Sequence, residues 1–162
     1  MAAITALPKV KWARLEPKPP QEVVITLEER RPWALWQIGS VRYVIDQDGA
    51  VLDEPPPQEF LPIIVDKGNR PLAPGERVEA EAVRLAQVLI QILPREMGTK
   101  TVTFEYVKGG GLVAVIDGGW RARFGDGSEL ARKIAIWKAI LEQAPSAGVE
   151  PMRTALRIGI RS

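Results

Sequence analysis

Residues 112–124, LVAVIDGGWRARF, decide how this chain folds. An aliphatic run from Leu112 to Ile116 meets Asp117-Gly118-Gly119, and beyond it Trp120, Ala122 and Phe124 alternate with Arg121 and Arg123. A period of two sends successive side chains to opposite faces of a strand. An Asp-Gly step between two such runs is a strong hairpin signal, because its residues tolerate positive φ. The stretch therefore predicts a β-hairpin with an apolar face to cover. Just downstream, Leu130, Ile134, Trp137, Ile140 and Leu141 recur at three- and four-residue spacing, with Asp126 and Glu129 placed as N-cap and N3 of a capping box. That predicts an amphipathic helix to lie on the hairpin.

Working outward, the same grammar recurs. Thr101, Thr103 and Glu105 alternate with Val102, Phe104 and Tyr106 just before Gly109-Gly110-Gly111. Val41, Tyr43 and Ile45 alternate ahead of Asp48-Gly49 and Val51-Leu52, which predicts a second hairpin. Val23, Ile25 and Leu27 alternate with Val24, Thr26 and Glu28, a further strand with one apolar face. Ala82, Val83, Ala86, Leu89, Ile90 and Leu93 form a helical stripe ended by Pro94. Proline clusters at 17–20 and 55–57, and the stretch 68–75, read as loops between elements. Strands joined by hairpins and interrupted by two amphipathic helices, without regular βαβ units, predict an α+β fold: an antiparallel or mixed β-sheet with the helices packed on it.

Composition narrows the chemistry. The 162 residues are 46% hydrophobic and 26% charged, with a net charge of +2, an ordinary globular balance without the basic excess of a nucleic-acid binder. There is no Cys, which removes disulfides, thiolate nucleophiles and Cys-ligated zinc or iron–sulfur sites. There is no His, which removes the Ser-His-Asp triad, an imidazole base and histidine-ligated metals. No apolar run approaches the roughly 18 residues of a membrane span, and 1–7 lacks the pattern of a signal peptide.

The remaining candidates are weak as sites. Asp46-Gln47-Asp48-Gly49 starts like a calcium loop, but its Gly comes fourth rather than sixth and prolines follow. Gly109-Gly110-Gly111 lacks the Lys-Ser/Thr and following helix of a phosphate loop. Trp36, Trp120 and Trp137 fit the core better than a base-stacking surface, and Arg121 and Arg123 read as a solvated strand face. Glu28-Glu29, Asp53-Glu54 and Glu79-Glu81 supply carboxylates, yet neighbours on an element point apart and no pair converges. No cofactor or metal is expected. By elimination the chemistry falls on surfaces, and sheet edges are a recurring means of peptide recognition. The last segment supplies one: Leu156, Ile158 and Ile160 alternate with Arg157, Gly159 and Arg161, which predicts a strand with one cationic face.

The order of segments resembles a known family. Residues 7–36, LPKVKWARLEPKPPQEVVITLEERRPWALW, are similar to the end of a POTRA domain in the bacterial division family FtsQ/DivIB, which runs from an "lp-V-x-x-A-x-V" strand through a Pro-containing loop to "V-x-E-R-x-P-x-A-x-W". Val10, Ala13, Glu29, Arg30, Pro32, Ala34 and Trp36 match. VRYVIDQDGAVLDE at 41–54 resembles the family's "lID-x-x-G-x-V", Leu61-Pro62 its "LP" step, and GLVAVIDGGWRARFGDGSELARKIAIWKAIL at 111–141 its hairpin, Gly step and covering helix. Thr154-Ala155-Leu156-Arg157 supplies the Leu and Arg of the family's terminal "D-L-R" but not the Asp.

The resemblance implies a truncated POTRA-like remnant over 1–36 and an FtsQ/DivIB-like β domain over 37–162. It also implies a non-enzymatic scaffold on the extracytoplasmic face of the bacterial cell membrane, anchored in full length by an N-terminal helix that the sequence given lacks. Such a scaffold binds FtsB/DivIC-like and FtsL-like division proteins and helps coordinate septal wall synthesis. Strand addition at Leu156, Arg157, Ile158, Gly159, Ile160 and Arg161 is the expected mode, without nucleic acid. The alternative is a cell-wall carbohydrate-binding or carboxylate-dependent hydrolytic domain, which an open cleft with converging carboxylates favours.

Overall fold

The computed structural model describes residues 7–58, 60–98, 101–116, 120–143 and 155–156. Named in chain order, the strands are β1 (Val10–Lys18), β2 (Glu22–Glu29), β3 (Ala34–Ile38), β4 (Val41–Ile45), β5 (Ile63–Asp66), β6 (Thr101–Val107), β7 (Gly111–Ile116), β8 (Arg121–Gly125) and β9 (Ala155–Leu156). The helices are α1 (Ala80–Met97), between β5 and β6, and α2 (Leu130–Gln143), between β8 and β9. Seven strands form one sheet in the order β4-β3-β5-β6-β7-β8-β9, while β1 and β2 form a separate two-stranded ribbon. The α+β class is borne out.

The decisive hairpin forms as the alternation requires. β7 and β8 run antiparallel with Ala114 opposite Ala122 and Val113 opposite Arg123; the turn residues 117–119 lie outside the described residues. Leu112, Ala114 and Ile116 on β7 and Ala122 and Phe124 on β8 are buried toward the helices. At the open end of the hairpin Gly111 has φ +72°, and a Cβ there would stand 2.0 Å from the Gly125 carbonyl oxygen. Only glycine permits that approach.

Both helices bury their stripes against the same sheet face. Ala82, Val83, Leu85, Ala86, Leu89 and Leu93 of α1 and Ile134 and Trp137 of α2 share one core with Trp36, Ile64, Phe104 and Phe124. Trp36 lies 5.4 Å from Tyr106 between ring centroids, and Phe124 meets Trp137 edge-on at 5.6 Å, arrangements that suit aromatic quadrupoles.

The structure corrects several expectations. β5 is parallel to β3 and to β6, and β9 is parallel to β8, so β5–α1–β6 and β8–α2–β9 are βαβ units in a sheet whose other sequential pairs, β3–β4, β6–β7 and β7–β8, are antiparallel. Pro94 does not end α1; it sits exposed within the helix, which closes instead at Gly98, whose φ is +62° and whose N–H reaches the Pro94 carbonyl at 3.2 Å. The capping box is not formed either. Asp126 Oδ1 accepts the Ser128 N–H at 2.9 Å in a turn of its own, and Glu129, at φ +51°, offers its carbonyl to Lys133 N–H and its carboxylate to Arg132 at 3.9 Å. Lys133 is buried beside the α2 stripe because its Nζ donates to the Phe124 carbonyl at 2.7 Å.

The Asp48-Gly49 turn exists but is longer than a two-residue hairpin. Asp46 Oδ1 accepts the N–H groups of Asp48 and Ala50 at 2.9 and 2.8 Å, Ile45 pairs with Val51, and Gly49 alone takes positive φ. The largest departure is the ribbon. Val23, Ile25 and Leu27 do alternate on one face, but they are 56%, 51% and 47% exposed, since β2 pairs only with β1.

Candidate partner-binding edge

The expected site begins at a sheet edge. β9 lies parallel to β8, with Ala155 opposite Arg121 and Leu156 opposite Ala122, and it is terminal in the strand order. Leu156 is thus placed at the edge; Arg157, Ile158, Gly159, Ile160 and Arg161 lie outside the described residues. The two-residue ladder positions this strand through β8, whose Ala122 and Phe124 are sealed under the helices. Docking β9 on a strand anchored this way gives it a rigid backing.

Ion pairing braces the same strand from its other face. Arg121 and Arg123 lie on the face away from the core, as their alternation predicts, with Arg121 exposed. Arg121 in addition forms a bidentate fork with Glu105 of β6, reaching across β7, with one arm at 3.0 Å. Lys67 approaches the same carboxylate at 3.4 Å. Glu105 is largely covered, so its charge is compensated where solvent screens it poorly. Arg121 is therefore a brace from β6 to the strand that carries β9, a role invisible in its sequence neighbourhood because the partner lies 16 residues away.

The opposite edge is closed over 44–46, while Val41, at its far end, is exposed. Leu52 N–H donates to the Val44 carbonyl at 2.8 Å, and Asp46 N–H to the Ala50 carbonyl at 3.0 Å. Segment 50–52 is itself held by 75–77: Val51 N–H donates to Glu76 O, Gly75 N–H to Val51 O, and Ala50 bridges Arg77. The loop is tied further by Glu76, which accepts Ala73 N–H at 2.7 Å and Arg70 at 3.0 Å; these bonds hold its carboxyl below the usual range. A covered edge is a poor template for strand addition, whereas β9 ends its sheet among the described residues.

The carboxylates behave differently from expectation. Glu79, just before α1, and Glu81, in its first turn, line one cleft of about 430 Å³ together with Asp126, Tyr106 and the backbone of 109–111. Burial and the neighbouring Glu79, whose carboxylate accepts the phenol at 3.4 Å, push the Tyr106 hydroxyl above its ordinary value. A general acid needs a carboxyl whose proton survives near neutrality. Asp126 moves the other way, its pKa lowered by the Ser128 N–H and hydroxyl. Among the described residues no cluster of three or more potential ligands is placed to hold a metal ion.

The tryptophans divide as the apolar phase predicts. Trp36 and Trp137 are fully buried, Trp33 and Trp120 pack partly against the core, and Trp12 is exposed on the ribbon with its Nε1 donating to Glu28. No row of stacked aromatics faces solvent among the described residues. No helix of the described residues is long and apolar enough to cross a membrane.

Comparison with known proteins places this arrangement. The family model "Cell division protein FtsQ/DivIB, C-terminal" matches residues 34–157, from the first residue of β3 to the one following β9. A protein named Cell division protein FtsQ from Chloroflexus aurantiacus is 32% identical over 143 residues, covering 87% of this chain and 53% of that protein. Its namesake from Chloroflexus aggregans is 31% identical over 144 residues, with the same coverage. The chain spans about half the length of the curated relatives it matches. It belongs to the FtsQ/DivIB family of cell-division proteins.

Proposed function

From membership of the FtsQ/DivIB family as premise, we propose that this chain is a non-enzymatic interaction module of the bacterial division machinery. It works on the extracytoplasmic face of the cell membrane, to which another part of the full-length protein anchors it. It binds FtsB/DivIC-like and FtsL-like partners and through them helps coordinate septal wall synthesis. The observation that carries this reading is the position of β9, parallel on β8 and terminal in the strand order, whereas the other terminal strand is capped over 44–46. The alternation of Leu156, Ile158 and Ile160 with Arg157 and Arg161 continues that edge in sequence. A partner strand adding there gains main-chain hydrogen bonds, and the two arginines steer acidic side chains toward it.

Residues 1–36 make up the remnant of a POTRA-like domain and 37–162 the binding domain. The separate ribbon sheet and a family match that starts at residue 34 support a division of the chain there, between the end of β2 and the start of β3, slightly ahead of that boundary. The apolar face of the ribbon then belongs to an interface with the rest of its own domain.

The test is an NMR titration of backbone amides with the extracytoplasmic part of the same organism's FtsB/DivIC-like protein. Shifts concentrated over 156–160 are expected, and Ile158→Pro, which removes a backbone N–H, abolishes them while the chain stays folded. Undiminished affinity in folded Ile158→Pro rejects strand addition at this edge. Shifts around Glu79, Glu81 and Asp126 on adding wall glycan fragments, with none from the partner, favour the carbohydrate-binding alternative.

A further inference from the structure

The ribbon meets the seven-stranded sheet almost entirely through charge. Of its residues only Val10 is buried, and neither strand joins the larger sheet. Between ribbon and sheet lies an open cleft of about 560 Å³, lined by Leu27 and otherwise by polar and charged residues from 28–31 and 46–48 together with Lys11. An apolar contact that could fix their relative angle is therefore missing from this side.

What spans the cleft is a graded set of ion pairs. Arg30, just past the end of β2, places Nη1 2.5 Å from Asp46 Oδ2, with side-chain exposures of 12% and 5%. The other oxygen of Asp46 is pinned by the backbone of its own turn, through Asp48 and Ala50. The acceptor thus cannot follow the arginine if the ribbon swings. The exposed Asp48 then lies 3.6 Å from Arg30 and 3.5 Å from the exposed Lys11, and the exposed Lys9 lies 3.2 Å from the half-buried Glu54. The backbone adds Trp33 N–H to the Ile45 carbonyl at 2.8 Å, at the point where the ribbon becomes β3.

We propose that the Arg30–Asp46 pair is a clamp that sets the angle between ribbon and sheet, with Lys11 and Lys9 as a weaker outer rim. The physical basis is a single covered pair, poorly screened and rigidly presented, among pairs that water and salt weaken. Loss of the covered pair frees the ribbon to pivot at 30–33 while the sheet keeps its core. The proposal concerns conformation and does not rest on the division reading.

Because the chain has no cysteine, Gln21→Cys at the ribbon turn and Arg84→Cys on the exposed side of α1 are unique sites for spin labels. Pulsed dipolar spectroscopy of the doubly labelled chain reads the ribbon angle as a distance distribution. Arg30→Gln and Asp46→Asn are each expected to broaden it at least about twofold, with the double variant no broader than either single one, as coupled partners require. Lys11→Gln broadens it less. Thermal melting of the sheet remains cooperative in all four. An unchanged width in a folded Arg30→Gln chain overturns the clamp, as does broadening by Lys11→Gln that equals that of Asp46→Asn. If neither Arg30→Gln nor Asp46→Asn folds, the pair is a condition of folding rather than a clamp, and the proposal fails.

Discussion

Two regions of this molecule read alike in sequence and differ in structure. β7–β8 and β1–β2 are both antiparallel pairs with alternating apolar residues, yet the first is sealed under two helices and the second keeps Val23, Ile25 and Leu27 about half exposed. Alternation fixes which residues share a face; it carries nothing about what covers that face. Cover comes from distant sequence. α1 and α2 supply it for the large sheet, and no described residue supplies it for the ribbon. A two-stranded ribbon without such cover is marginal alone, so its order rests on its junction with the larger sheet.

Three measurements sharpen or break this contrast. The largest effect is expected for Trp137→Ala on the covered side. It removes a fully buried ring that meets Phe124 and lies in the shared core, and chemical denaturation should show a loss of about 3–5 kcal/mol. A loss below about 1 kcal/mol means that the α2 face does not hold the sheet together.

On the uncovered side, Ile25→Thr keeps a β-branched shape and removes an exposed apolar surface. The same denaturation curve should move by less than about 0.5 kcal/mol. A cost of core size shows that the ribbon is covered in solution and unfolds together with the sheet.

The smallest effect tests charge at the closed edge. Glu76 has its pKa lowered from the ordinary 4.5 by the Ala73 N–H and by Arg70. A lowered folded-state value means that its contribution is present above 4.5 and is lost as pH falls through the lowered value. Amide exchange at Ala73, followed from about pH 6 down to about pH 3, should therefore speed up only at the acid end beyond the intrinsic trend, with the sheet core still protected. Constant relative protection indicates that the loop is held by its backbone bonds to Val51 alone.

Much of the fold was legible because it is local. The hairpin around 112–124 and the helical stripes at Ala82–Val83–Ala86–Leu89–Leu93 and Ile134–Trp137 are patterns within one element, and the core uses them as read. β5 was missed for a physical reason. Four residues between a proline-rich loop and 67–75 show no period, and parallel pairing on both sides hides all of them from the alternation rule. Pro94 misled because a proline costs a helix an interior hydrogen bond without forbidding it, and Leu89 and Leu93, both fully buried, anchor α1 on the sheet just before it.

The candidate site was legible at Leu156 as a strand residue. That its ladder partner is Ala122, and that the pairing is parallel, depends on the path of the chain after α2 and could not be read from residue types. Arg30 and Asp46 were both in the quoted family pattern, and Arg121 and Glu105 in strands on either side of β7. Each pair is 16 residues apart, so only the assembled sheet reveals that they meet.

The strand order also has a mechanical meaning. The ribbon continues into β3, and β9 stands five inter-strand spacings away, roughly 24 Å at the usual separation of about 4.8 Å. A pull between the two ends acts across the strands, along the hydrogen-bond direction, and so loads every ladder between them in series. The sheet is in that sense a tension gauge: force applied at β9 reaches the ribbon only after passing through each intervening strand, and the first ladder to yield sets how much of it arrives.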